Sequence, residues 1–221
     1  CDWSSDVCSS DLEGIFNQVW YGVLFGAAAS WQKGESSIPQ FVESFGLQFH
    51  GDGTGKISAA QAKLSQAQAL LAKSGPAEAT TQLYWLDPFS TEGQVAAQKL
   101  RAISRDVRVL AESALVLSAQ ARYALRGKDG SLAALRERDA LDAMDMGARR
   151  IDFIGMKFQL ADEIVRHYQA ALDSVAKGAP PTHDLTEIAS QINSRTQDIR
   201  DGYVLGKELY EKSWRAENRP Y

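Results

Sequence analysis

The chain has 221 residues, with 24 basic and 28 acidic side chains, and 44% of its residues are hydrophobic. This near-balance of charge gives no electrostatic basis for binding nucleic acid or an anionic membrane. No apolar run approaches the roughly 18 residues that a membrane-spanning helix needs. A chain of this length and hydrophobicity can bury a sizeable core, so the sequence predicts a folded protein with neither nucleic acid nor a membrane as its partner.

The first twelve residues, CDWSSDVCSSDL, differ from the rest of the chain. They hold both cysteines and three aspartates, and they lack the basic and apolar regions of a secretory signal. Residues 2–12 resemble the translation of a common DNA-sequencing adapter, so we interpret residues 1–12 as an artefact. We expect the natural part of this chain to begin near Glu13 and the natural protein to have further sequence upstream. Without them the chain has no cysteine, and removing their three aspartates leaves 25 acidic residues against 24 basic ones.

An apolar run, VWYGVLFGAAASW, occupies residues 19–31. Continuous apolar character without alternation is typical of a strand that is buried on both faces in a parallel sheet. A single strand leaves its backbone N–H and C=O groups unpaired, so we expect its partner strands to lie in a missing upstream part. The apolar face of residues 19–29 should then be partly uncovered, which favours aggregation.

Helical patterns dominate the rest of the chain. Ser37 and Pro39 are typical of a helix start, and Ser58 is expected to cap the next helix. Residues 82–93 look irregular, and later apolar residues recur at steps of three and four. The predicted helices cover about 38–48, 59–73, 94–126, 131–176 and 184–215, the last three forming a bundle of about three long helices.

Several motifs that could carry chemistry are better explained by structure. HGDGTGK (50–56) fits neither a phosphate loop nor a calcium loop. Asp162 and Glu163 are adjacent on a predicted helix, where their side chains diverge, so we expect ion pairs on a helix surface instead of a glycosidase pair. The same holds for the Arg149-Arg150 pair, with Asp145 or Asp152 as expected partners. The three histidines show no metal-binding spacing, so we predict no metal, no cofactor and no catalytic residue within this chain.

The stretch GVLFGAAASWQKG (22–34) resembles the last barrel strand of glycoside hydrolase family 20, the β-N-acetylhexosaminidases. That family reads Gly-x-Ala-x-x-Trp-x-Glu there, and Gly26, Ala28 and Trp31 match, whereas Lys33 replaces the glutamate. YWLDPFSTEGQ, DALDAMDMGARRIDFIGMKFQLADEI and WRAENRPY are similar to the helical C-terminal region of a bacterial subgroup. The resemblance implies that Trp31 forms a wall of the sugar subsite, with Gln32 and Lys33 beside it.

The resemblance also implies a fold and a function. Residues 13–50 would end a catalytic (β/α)8 barrel with its last strand and helix, and residues 51–221 would form a C-terminal helical domain, which makes the chain mainly α. The whole enzyme would release terminal N-acetylhexosamine from glycans by substrate-assisted retaining catalysis, through an Asp-Glu pair on an earlier strand. The fragment alone would be inactive, and the resemblance implies a periplasmic or extracellular protein.

Two alternatives stay open at this point. Family 84-like N-acetylglucosaminidases also end their barrel with a tryptophan segment followed by helices, but SWQKG lacks their Asn-Pro. A non-catalytic helical interaction module is the alternative from another class. An upstream barrel with an Asp-Glu pair would separate the enzyme from the module, and the sequence does not define sugar linkage or oligomeric state.

Overall fold

The structure is a computed structural model that describes residues 15–75, 79–189 and 194–218. A short 3₁₀ turn, Phe16–Gln18, precedes a series of α-helices, and no strand occurs in these ranges. The mainly α class is therefore confirmed, and the interpreted adapter segment lies outside the described residues. In chain order the helices are α1 (Trp20–Trp31), α2 (Ile38–His50), α3 (Lys56–Ala72), α4 (Ala79–Trp85), α5 (Thr91–Leu100), α6 (Ser104–Ala124), α7 (Arg138–Ala176), α8 (Thr182–Ala189) and α9 (Arg195–Glu217).

The strand predicted over residues 19–31 is wrong in this structure, where most of that run forms helix α1. An isolated strand would leave its backbone groups unpaired, whereas a helix satisfies them within the segment. The small residues of its second half, Gly-Ala-Ala-Ala-Ser, also include the best helix former. Consequently the barrel remnant that the resemblance implied is not seen among the described residues.

Helix α2 begins as predicted. The Ser37 hydroxyl accepts a hydrogen bond from the backbone N–H of Gln40 at 3.4 Å, and Pro39 lies in the first turn. The helix ends at Gly51, whose φ of 75° is left-handed and favours glycine. The prediction that Ser58 caps the next helix is wrong. The carboxylate of Asp52 takes this place, since it accepts a hydrogen bond from the backbone N–H of Ile57 in the first turn of α3 at 2.8 Å. Ser58 lies inside α3 and donates to the carbonyl of Val42.

The middle of the chain differs from the prediction in three places. The segment read as irregular, 82–93, includes the end of α4 and the start of α5. The single helix predicted over 94–126 is divided into α5 and α6 by a turn at residues 101–103. The next helix begins at Arg138 and not at Ser131. The preceding loop is held in place, since Leu135 is buried beside Leu141 and the backbone N–H of Arg136 donates to the carbonyl of His50 at 3.0 Å.

The chain divides into two compact units. The first comprises the described residues within 1–63, 113–148 and 209–221, and the second those within 64–112 and 149–208. Helices α3, α6, α7 and α9 contribute residues to both. The first unit has a small cluster of Ile57, Ala121, Leu135 and Leu141. The second buries Leu83, Phe153, Ile154 and Phe158. The predicted boundary between residues 50 and 51 stays a prediction.

Candidate functional sites

The three predicted sugar-binding residues lie together at the end of α1. Trp31 is the last helical residue and is 90% exposed. Gln32 leaves the helix in an extended conformation, and its backbone N–H donates to the carbonyl of Ala29 at 3.3 Å. Lys33 and Gly34, whose φ is 96°, form the following bend. The three side chains are therefore adjacent on an exposed tip of the first unit.

Helix α1 is apolar but poorly covered. It has no charged residue, and none of its residues is buried. On one side Tyr21 and Phe25 contact Phe41 of α2, with ring centroids 5.3 Å and 5.1 Å apart. Val23 lies on the other side and is 45% exposed. This apolar stretch is thus partly uncovered, but as a helix and not as the strand face that was expected.

The second unit contains a buried ammonium group. Lys157 of α7 is fully buried, and its Nζ donates to the carbonyls of Leu83, Tyr84 and Leu86 at 2.7, 2.8 and 2.9 Å. The hydroxyl of Tyr203 also accepts from Nζ at 3.1 Å and donates to the carbonyl of Tyr84. These carbonyls lie at the end of α4, where helix carbonyls lack intrahelical partners. One lysine thus closes the C-terminus of this short helix.

Burial sets the electrostatics of this group. It lowers the pKa of the Lys157 ammonium from about 10.5 to about 7, and the carboxylate of Asp87 opposes that shift. The carbonyl acceptors also favour the charged form. Because Lys157 is fully buried and its hydrogens point to protein acceptors, its role here is to hold the end of α4, not to react with a substrate.

Asp162 and Glu163 are held by arginines, in agreement with the predicted ion pairs. Asp162 pairs with Arg101 and lies 3.4 Å from Arg166, while Glu163 lies 2.7 Å from Arg195. The two carboxylates therefore have different arginine partners. They border a groove of 630 Å³ whose arginines are Arg101, Arg105, Arg108 and Arg166.

The other candidate charges have structural partners. Asp145 and Asp152 pair with Arg122 and Arg108, whereas the Arg150 guanidinium lies over the ring of Tyr84, 4.7 Å from its centroid. Asp145 and Asp152 thus have arginine partners outside the Arg149-Arg150 pair, and Arg150 makes a cation–π contact with Tyr84. The guanidinium of Arg150 therefore packs against a residue of α4.

The three histidines lie in different surroundings. His50 is buried, and its Nδ1 lies 3.4 Å from the carbonyl oxygen of Arg136; burial lowers its pKa. His167 contacts Asp184 at 3.0 Å, and His183 is exposed. In the part of the chain that the structure describes, no group of three His, Cys, Asp or Glu residues is placed to hold a metal ion.

A second aromatic feature escaped the sequence analysis. Trp85, the last residue of α4, is 71% exposed although Leu83 and Tyr84 before it are buried. It lines a cavity of 630 Å³ with residues of α5. The sequence feature that could have indicated Trp85 was its position in the aromatic segment QLYWLDP. That segment was read as irregular because no long periodic pattern runs through it.

Comparison with protein-family models, curated protein sequences and solved structures finds no match to this chain. Within the described ranges, no helix is long and apolar enough to cross a membrane.

Proposed function

We propose that this chain is the helical part of a glycosidase that releases terminal N-acetylhexosamine and resembles glycoside hydrolase family 20. The observation that carries the proposal is the exposed tip of α1, where Trp31 stands beside Gln32 and Lys33 at the end of an apolar helix with no buried residue. An apolar segment of this kind marks a surface that another part of a protein covers. The segment that ends at this tip matches the family motif at Gly26, Ala28 and Trp31, whereas Lys33 replaces the family glutamate.

In this proposal the described residues position the sugar and do not perform the acid–base chemistry. The indole of Trp31 offers its electron-rich face to the C–H bonds of a pyranose ring. Gln32 supplies an amide that can donate to and accept from sugar hydroxyls. Asp162 and Glu163 lie on a helix and pair with separate arginines, so we assign the catalytic role to neither, and the catalytic Asp-Glu pair would belong to a barrel encoded upstream.

The proposal requires residues 19–31 to pair with neighbouring strands in the complete enzyme. The helix α1 is compatible with this requirement on energetic grounds, because an apolar run without strand partners gains its backbone hydrogen bonds by forming a helix. A barrel would supply the missing partners and would bury the side of the segment that carries Val23.

The test is the product of the gene from which this chain derives, expressed with whatever coding sequence precedes Glu13. We expect release of chromophore from a 4-nitrophenyl N-acetyl-β-glucosaminide. Trp31→Ala should raise KM several-fold, and Lys33→Glu, which restores the family residue, should lower it. Asp162→Asn and Glu163→Gln should leave kcat within about twofold. A gene without a barrel ahead of Glu13, or a product without this activity, refutes the proposal.

A helical interaction module is the second candidate, and one observation favours it. The apolar run of residues 19–31 forms a helix that already packs aromatic side chains against α2. In such a module the uncovered side of α1 would contact another protein. The upstream sequence separates the two candidates, since a module needs no barrel.

A further inference from the structure

The cavity beside Trp85 is built by two short helices of the second unit. Gln82 and Trp85 follow each other at a spacing of three on α4, and Glu92, Val95 and Lys99 lie along one face of α5 at spacings of three and four. These five side chains line a volume of 630 Å³. That volume lies within the range of about 300–1,000 Å³ that is typical of small-molecule sites.

The indole of Trp85 is held in place while its surface stays exposed. Leu83 and Tyr84 anchor α4 in the core, and the ring of Tyr84 meets the indole edge-on, with centroids 4.9 Å apart. The carbonyls on both sides of Trp85, those of Tyr84 and Leu86, accept hydrogen bonds from Lys157. A large aromatic surface is thus presented to solvent by a fixed backbone, which lowers the entropy lost when a ligand binds.

The polar side chains around the indole include both hydrogen-bond donors and acceptors. Glu92 is an acceptor, Lys99 is a donor, and the amide of Gln82 is both. None of these three side chains has a hydrogen-bonding or ionic partner in the described ranges. One negative and one positive charge make the lining neutral overall, so it fits a neutral ligand that offers both donors and acceptors.

The geometry points to this cavity as a second sugar-binding subsite, which takes a neutral pyranoside with its apolar face on Trp85 and its hydroxyls on Gln82, Glu92 and Lys99. A pyranose meets each requirement of the lining, because one face carries C–H groups for the electron-rich indole and its edge carries hydroxyls that donate and accept. The choice of N-acetylated sugars as first probes rests on the proposed function. The cavity itself is separate from Trp31, which belongs to the other unit.

The experiment follows the indole N–H signals of the ¹⁵N-labelled 221-residue chain by NMR during titration with N,N′-diacetylchitobiose, cellobiose and methyl β-glucoside. Trp85→Phe assigns the signal of Trp85. We expect that signal to shift saturably with at least one sugar, and Trp85→Ala to weaken binding about tenfold. Glu92→Gln, which keeps the shape of the side chain, should weaken binding several-fold. Tyr123→Ala is the matched control, since it removes another exposed aromatic side chain, and should leave this titration unchanged.

The outcomes separate this inference from the proposed function. A saturable shift of Trp85 together with a gene product that lacks glycosidase activity supports the subsite and refutes the proposed function. An active gene product whose Trp85 signal responds to none of the sugars refutes the subsite alone. Binding that survives Trp85→Ala with unchanged affinity also overturns the inference, because the sugar then lies elsewhere.

Discussion

The buried ammonium of Lys157 makes a specific prediction about how stability depends on pH. Burial lowers the pKa of Lys157 to about 7 in the folded chain, whereas an unfolded lysine titrates near 10.4. Between these two values the unfolded state binds more protons than the folded state, so the free energy of unfolding should rise with pH. The buried charge of Lys157 lowers the free energy of unfolding by its full amount below about pH 7. This effect is lost above the pKa of the unfolded lysine.

The magnitude follows from the two pKa values. Each pH unit within the window contributes up to about 1.4 kcal/mol, so the rise from about pH 7 to about pH 9.5 should be roughly 3 kcal/mol. Burial raises the pKa values of Tyr84 and Tyr203, so these neighbours stay protonated at the chosen pH values. Their common contribution cancels when two variants are compared.

Urea unfolding of the chain and of Lys157→Met, followed by circular dichroism at several pH values, isolates this contribution. The difference in unfolding free energy, the original chain minus the variant, should increase with pH by the amount given above. Lys177→Met, which replaces an exposed lysine, controls for the loss of one positive charge. A difference that stays flat or falls over this window would refute the reasoning, because the three carbonyl acceptors would then outweigh the cost of burial.

Three further predictions concern stability and solubility. Gly202→Ala should destabilise the chain by roughly 1–3 kcal/mol in urea unfolding, because the new methyl group would collide with the ring of Phe153. Gly26→Ala should instead stabilise the chain by up to about 1 kcal/mol, because the surroundings of Gly26 in α1 are open. A loss of stability in Gly26→Ala would argue against a helix at this position. Asp52→Ala should lower the free energy of unfolding by about 1–2 kcal/mol in thermal unfolding, because the backbone N–H of Ile57 and the backbone N–H and hydroxyl of Thr54 lose their acceptor. Asp52→Asn should retain part of this stability. Equal stabilities of the original chain and both variants would contradict a capping role for Asp52. Val23→Lys should reduce light scattering of concentrated samples while changing the unfolding free energy by less than about 0.5 kcal/mol, and unchanged scattering would show that this side of α1 does not drive association.

The local signal at the start of α2 was read correctly from the sequence, whereas features that depend on distant residues were not. The start of α2 depends on Ser37, Gln40 and Pro39, which are neighbours in the chain, and the structure agrees with the prediction. The apolar run of residues 19–31 was misread because a short run without alternation fits a buried strand and a helix equally well. Its conformation depends on whether partner strands are present, and the run itself carries no information about them.

The buried role of Lys157 was missed for a different reason. A lysine is almost never fully buried unless it is paired, and the three carbonyls that accept from it here lie more than 70 positions earlier in the chain. The helical pattern did hold a signal, because Phe153 and Ala161, four residues before and after Lys157, are both buried. A charged residue within an apolar stripe predicts a buried acceptor, although the acceptor cannot be named from the sequence.

The clamp on α4 and the exposure of Trp85 have one physical origin. A helix of seven residues is too short to be stable alone, so α4 depends on tertiary contacts at its end. Lys157 supplies these contacts, although burying its charge is unfavourable. Gly206 permits the close approach of Tyr84, since a methyl group at Gly206 would lie 2.5 Å from the Tyr84 hydroxyl. A surface loop that only connected α4 to α5 would not need so costly an anchor. The anchor makes physical sense if the orientation of Trp85 matters, which is the condition that a sugar-binding subsite imposes.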